Sequence, residues 1–225
     1  AAKAKDITVV NVPSYGEKTV AEYTFTLLLA LTRKLLTAAA HIDTQDQPLM
    51  MGTDLNKKTI GVIGTGRIGS NVIRIAKGFS MNVIAFDPYP NKNLQKELDY
   101  DYVDLEQLLA QSDIITLHVP FTGTNKHLLN QESFTKMKDG VFIINTSRGE
   151  LIDTTALIQA LQSGKVARAG LDVREDEHIM SLHGELELLQ SKTAIGDAYI
   201  HSLELLALQK MPNVLLTPHN AFNTI

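Results

Sequence analysis

Short β-branched apolar runs alternate along the chain with stretches of helical spacing. Thr59 to Ile63 is a strand run, Ile68 to Phe79 has helical spacing, and Asn82 to Phe86 is a second strand. The rhythm continues with a helix at Leu105–Ala110, a strand at Ile114–Leu117, a helix at Gln131–Met137 and a strand at Val141–Ile144. A helix at Thr154–Gln162 and strands at Val166–Asp172 and Val214–Leu216 complete it. Asn130 and Asp153 stand where helix N-caps belong, and Ser163-Gly164 where a helix must stop. Strands separated by helices predict an α/β fold, a doubly wound parallel sheet covered on both faces.

Three stretches depart from this rhythm. Ile7 to Val12 has a strand pattern that stops at Pro13. It reads as a lead-in from another domain, so residues 1–14 are expected to be a hinge segment and 15–225 the dinucleotide-binding domain. Thr19 to about His41 predicts one long helix, apolar around much of its circumference in TFTLLLALTRKLL. Such a helix is buried on several sides, which suggests packing between domains or subunits and a homodimer formed through it. Residues 43–52 are a polar connector. Residues 174–211 begin acidic and contain one helix candidate near Leu203–Lys210. A long insertion after a strand's C-terminal end is often functional, because ligands of open α/β sheets sit at that edge.

Composition narrows the partners. The chain has 225 residues, 44% of them hydrophobic and 20% charged, with net charge −4. That is an ordinary globular balance, with no reason to expect nucleic acid or an anionic membrane as partner. The chain has no cysteine, so neither a disulfide framework nor a cysteine-based metal site or nucleophile is available, and no metal is expected. This composition fits the cytoplasm. The longest N-terminal apolar run, Leu27 to Leu31, is too short to span a bilayer.

The chemistry begins at Gly64-Thr65-Gly66-Arg67-Ile68-Gly69, directly after a strand and opening a helix. Gly64 permits the tight turn, Gly66 lets backbone approach a pyrophosphate, and Gly69 lets helix and strand pack closely. The helix start offers N–H groups and the positive end of its dipole to phosphate. Asp87, about twenty residues on, suits the hydroxyls of an adenosine ribose; its charge repels a 2′-phosphate, so NAD is expected over NADP. Arg148, Asp172, Glu177 and His219 follow the later strands. Each alone has a bland reading: an ion pair, a strand-end cap, a solvated acidic loop, a turn histidine. Together at one sheet edge they suit reduction of a 2-keto acid, with an arginine for the carboxylate or carbonyl and a histidine for the proton. A carboxylate beside the histidine would orient it, and spacing does not choose among Glu175, Asp176 and Glu177.

The motifs GVIGTGRIG, AFDPYP, DIITLHVP, INTSRGELIDTTAL, AGLDVREDE and NVLLTPHNAF resemble the D-isomer-specific 2-hydroxyacid dehydrogenases over nearly the whole chain. TPHNAF is most similar to the fermentative D-lactate type. The resemblance implies a Rossmann NAD-binding domain of a two-domain enzyme, with the substrate domain largely absent from this chain. It implies NADH-dependent reduction of pyruvate or a related 2-keto acid to the D-2-hydroxy acid. Arg148 is implied to bind substrate, His219 to donate the proton, and Glu177 to pair with it. Arg67, Ile68, Asp87, Val119, Pro120, Asn125, Thr146, Ser147 and Asp172, with the three glycines, are implied cofactor contacts. Tyr15 and Phe222 are implied to face the substrate. Arg174 stands where the family usually has an aromatic residue. Some members of the family act as NADH-responsive corepressors; that alternative has a place beside the enzyme reading, and the lactate-type insertion argues against it.

Overall fold

The computed structural model describes Lys5 and residues 7–10, 16–41, 51–175, 177 and 195–224, with backbone only for 195–201. In chain order the elements are α1 (Glu17–Thr32), α2 (Leu35–Ala40), β1 (Thr59–Ile63), α3 (Arg67–Gly78), β2 (Asn82–Phe86), α4 (Lys92–Leu98) and β3 (Asp101–Tyr102). They continue with α5 (Leu105–Gln111), β4 (Ile114–Leu117), α6 (Gln131–Lys136), β5 (Val141–Asn145), a 3₁₀ turn (Gly149–Leu151), α7 (Thr154–Ser163), β6 (Val166–Leu171), α8 (Ile195–Lys210) and β7 (Val214–Leu216).

The strands form one seven-stranded sheet in the order β3-β2-β1-β4-β5-β6-β7, and every pairing is parallel. The order reverses between β1 and β4, which makes their C-terminal ends the topological switch point. Side chains alternate between faces. Ile60, Val62, Ile114 and Ile144 pack with α1 and α3 residues such as Leu28 and Ile73. Ile63, Ile115, Leu117 and Ile143 pack with α5, α6 and α7 residues such as Leu108, Phe134 and Leu157. The doubly wound parallel sheet is the architecture that the alternating runs predict.

The caps lie where composition places them. The Asn130 side chain accepts from Ser133 N while Ser133 Oγ accepts from Asn130 N, a reciprocal capping box. Asp153 accepts from Ala156 N, and Gly164 closes α7 at φ 80°. Three expectations are corrected. Ile7–Val10 forms no strand and is exposed, because no neighbouring strand among the described residues supplies ladder partners. The long helix breaks in two. Thr53 N donates to Thr32 O at 2.9 Å, so the returning chain takes the carbonyl that would continue the helix, and Lys34 turns at φ 51°. The helix at Leu203–Lys210 begins earlier, at Ile195. The short pair α4 and β3 carries too little apolar pattern to be legible.

Most of the apolar surface of α1 is covered by its own chain. Val20, Ala21, Phe25, Leu27, Leu28 and Leu31 are buried, and Gly170 of β6 leaves room for the helix, since a Cβ there would lie 3.1 Å from Leu31 Cδ1. Leu35 and Leu36 of α2 each remain 59% exposed. Among the described residues no helix is long and apolar enough to cross a membrane.

The glycine turn is a packing constraint as well as a motif. A Cβ on Gly69 would sit 1.9 Å from the carbonyl oxygen of Gly64, whereas one on Gly78 meets nothing within 4 Å. Gly69→Ala should therefore destabilise the fold by about 1–3 kcal/mol in urea unfolding. Gly78→Ala should be neutral or stabilise by up to about 1 kcal/mol. Equal effects would contradict the packing account.

Candidate cofactor and active site

The register brings the strand ends into line. Phe86, Ile63, Leu117, Asn145, Leu171 and Leu216 are successive partners across β2, β1, β4, β5, β6 and β7. Within three residues after those partners come Asp87, Gly64, Val119, Arg148, Asp172 and His219. One edge thus carries Asp87, Arg148, Asp172 and His219, and the loop after β6 adds Glu177.

At the switch point the turn is tightly built. Gly64 sits at φ 95°, where a Cβ would lie 2.8 Å from His118 C and from Val119 Cγ1. Over Gly66 the space is open, with nothing within 4 Å of a Cβ position. No side chain caps α3 at its N-cap Gly66, so its first-turn N–H groups keep capacity for an anion. Arg67 begins that turn and its guanidinium lies 3.5 Å from Glu17; Ile68 follows, half-buried against the α3 face of the core. Asp87 Oδ2 accepts from Thr65 N at 2.7 Å and Thr65 Oγ1 at 2.9 Å, while Oδ1 accepts from Tyr89 N at 2.8 Å and retains a lone pair. An open glycine cradle, an uncapped helix start and a half-buried carboxylate fit an NAD molecule.

Along the edge, loops are tied to one another. Ser147 Oγ donates to Val119 O at 2.5 Å. Asn125 Nδ2 donates to Pro120 O at 2.9 Å and its Oδ1 accepts from Thr122 N, so this amide shapes the loop that follows β4. Thr146 is buried, with its hydroxyl 3.0 Å from that of Thr24 on α1. Arg148 is exposed, with Nη1 donating to Ser147 O at 2.7 Å.

The far end of the edge holds the histidine. Asp172 is fully buried. It accepts from Thr217 Oγ1 at 2.5 Å and from Asn220 N and Ala221 N at 2.9 Å each, clamping the segment that carries His219. His219 N donates to Asp172 O, and the residue takes φ 51°, a left-handed conformation that this clamp holds in place. Its Nδ1 lies 2.9 Å from Glu177 Oε2. A carboxylate accepts only, so Nδ1 carries the proton of that bond and Nε2 is left to exchange one. Phe222 stacks edge-on against the imidazole at 5.7 Å and is half exposed. Tyr15 lies outside the described residues; its neighbour Gly16 approaches Phe222, with a built Cβ 3.9 Å from Phe222 Cβ. Arg174 N donates to Glu177 Oε1 at 2.8 Å, and its guanidinium Nε stands 4.0 Å from the same oxygen.

Two residues escaped the sequence reading. Glu175 reads as solvated, yet its side chain is only 5% exposed. Burial alone would raise its carboxyl pKa, but His127 Nε2 at 2.8 Å and Lys126 Nζ at 3.3 Å hold it below the usual range. It ties the loop carrying Glu177 to the segment after β4. Three consecutive acids give no spacing that marks the buried one. His118 reads only as the end of a strand. Both its ring nitrogens are buried and have no hydrogen-bond partner among the described residues. Burial pushes its pKa down to about 3, so it stays neutral beside the glycine turn.

The switch point and its glycine cradle define the class: a Rossmann-type dinucleotide-binding domain. The family model described as "D-isomer specific 2-hydroxyacid dehydrogenase, NAD binding domain" matches residues 25–221. The chain is 44% identical over 226 residues to a "2-hydroxyacid dehydrogenase homolog" of Haemophilus influenzae, covering all of this chain and 65% of that protein. It is 41% identical over 228 residues to an "Aromatic 2-oxoacid reductase" of Clostridium sporogenes, with the same coverage. Among solved structures, that of D-lactate dehydrogenase from Aquifex aeolicus complexed with NAD and lactic acid superposes with a TM-score of 0.82 at 39% identity, covering 99% of this chain and 65% of that one. The chain belongs to the D-isomer-specific 2-hydroxyacid dehydrogenases, as their NAD-binding domain, and its cofactor is NAD. It spans about 65% of the length of these relatives.

His118 gives a pH prediction. Its folded pKa lies below the unfolded value of about 6.5, so the unfolded chain binds the extra proton. The neutral form is fully accommodated above about pH 6.5, and stability is lost as pH falls from there toward 3. Between pH 7 and pH 5 this residue should cost about 2 kcal/mol. His118→Leu should flatten that part of the stability curve, measured by urea unfolding at each pH.

Proposed function

We propose that this chain supplies the cofactor domain and the catalytic residues of an NADH-dependent reductase. Its substrate is pyruvate or a related 2-keto acid, and its product the D-2-hydroxy acid. The observation that carries the reading is the Glu177–His219 bond of 2.9 Å on the same sheet edge as the glycine cradle. Residues 15–225 form the dinucleotide-binding domain, and 1–14 the hinge segment joining it to a substrate domain.

Bound NADH supplies the hydride that reduces the carbonyl carbon. Arg148 pairs with the substrate carboxylate or carbonyl oxygen, which suits a planar guanidinium exposed at the end of β5. His219 gives the Nε2 proton to the oxygen that becomes the hydroxyl, and Glu177 fixes the ring through its bond to Nδ1. Asp172, its bonds taken by the 217–221 segment, holds His219 in place and borders the nicotinamide end. Gly64, Gly66, Gly69, Arg67 and Ile68 receive the pyrophosphate, and Asp87 the adenosine ribose. Val119, Pro120, Asn125, Thr146 and Ser147 line the rest of the cofactor crevice. Tyr15 and Phe222 face the substrate.

In the full-length protein, His219→Gln should lower turnover by about 10²–10⁴-fold while leaving the dissociation constant for NADH unchanged within twofold. Undiminished turnover would remove the histidine from the mechanism. We further propose that α2, with Leu35 and Leu36 on its surface, joins two copies into a homodimer. Light scattering should return twice the chain mass, and Leu35→Glu with Leu36→Glu should shift it toward the monomer.

A further inference from the structure

Behind Asp87 lies a row of hydroxyls that the glycine motif does not explain. The Thr65 hydroxyl, 2.9 Å from Asp87 Oδ2, is also 2.7 Å from the hydroxyl of Tyr102. The Tyr102 oxygen accepts from the Tyr100 hydroxyl at 2.8 Å and from Asn91 N at 3.0 Å. Tyr100 and Thr65 are 5% and 6% exposed, so the row is largely shielded from water.

Counting protons fixes its direction. A carboxylate only accepts, so the single Thr65 hydroxyl proton is committed to Asp87. Thr65 Oγ1 must then accept from Tyr102, which uses the one proton of that phenol. The lone pairs of Tyr102 are in turn taken by Tyr100 and Asn91. The row runs Tyr100 to Tyr102 to Thr65 to Asp87, each O–H pointing toward the carboxylate, and aligned bonds strengthen one another. Burial, then the bond to Tyr102, holds the Tyr100 phenol above its ordinary pKa, so the proton at the head of the row stays in place.

We propose that Tyr102, acting through Thr65, is a positioning residue for cofactor selectivity: it clamps Asp87 so that its charge stays where a 2′-phosphate would lie. The proposal rests on the assignment of Asp87 to the adenosine ribose. Without the Tyr102 proton, Thr65 Oγ1 is no longer held from behind and its hydroxyl is free to rotate off Asp87; without the Thr65 hydroxyl, the carboxylate keeps only Thr65 N and Tyr89 N. In both cases it gains freedom to swing away from a phosphate. Selectivity for NADH over NADPH then falls although the charge remains.

Fluorescence titration of the full-length protein with NADH and with NADPH tests this. Tyr102→Phe removes only the hydroxyl and keeps the ring over which Lys92 Nζ sits at 5.6 Å. It should lower the ratio of the NADPH to the NADH dissociation constant about three- to fivefold, less than one lost hydrogen bond to Asp87 because it acts through Thr65. Thr65→Val, which removes the bond to Asp87 itself, should lower it about five- to tenfold, and Thr65→Ser should keep it within about twofold. Tyr100→Phe, which leaves the Tyr102 proton on Thr65, should keep it within twofold. A merely structural role would lower the melting temperature of Tyr102→Phe and Thr65→Val without moving the ratio, and that result overturns the proposal. Should Tyr102→Phe fail to fold, Thr65→Val carries the test. Asp87→Ser separates the two readings. If it leaves the ratio unchanged, the ribose assignment itself falls; if it collapses the ratio while Tyr102→Phe and Thr65→Val do not, only the clamp is lost.

Discussion

Parallel pairing in a single register is the constraint on which the rest depends. Because β2, β1, β4, β5, β6 and β7 end on successive partners, every loop that follows a strand emerges at one edge. Parallel ladders need crossover helices, and these bury both faces of the sheet. The edge is therefore rigid from below and open above. Residues 130 positions apart in sequence, such as Asp87 and Thr217, reach the same surface without any local signal linking them.

On that edge, buried and half-buried carboxylates do the positioning. Asp172 gathers three donors from the 217–221 segment and sets the unusual backbone of His219. Glu175 binds His127 and Lys126 and so fixes the loop that presents Glu177. Asp87 is held by Thr65 in front of a hydroxyl row. A buried charge is costly unless its acceptor sites are filled, so each of these acids draws a loop onto itself. The groups that we propose to meet substrate, Arg148 and His219, are by contrast among the more exposed.

Much of this was legible beforehand. Six of the seven strands, the helices α3, α5, α6 and α7 and the caps at Asn130, Asp153 and Gly164 follow from apolar period and turn chemistry, because local sterics and hydrogen bonding decide them. The glycine cradle was legible because its spacing is itself the geometry. The break at Lys34 was not, since Thr53 of the returning segment takes the carbonyl of Thr32. Nor did residue type and spacing choose among Glu175, Asp176 and Glu177, where the family resemblance alone implied Glu177. Chemistry makes the three equivalent, and only packing sends Glu175 inward while Glu177 meets His219.

The amino-acid sequence alone determined the class of fold, the nucleotide turn and the family, for each rests on patterns within a few tens of residues. Tertiary structure decided which carboxylate meets the histidine, that His118 stays neutral, and that Tyr100 and Tyr102 stand in line behind Asp87. Those are contacts between separate strand ends and loops. They exist only once burial removes water and leaves each polar group to the partners that the sheet brings within reach.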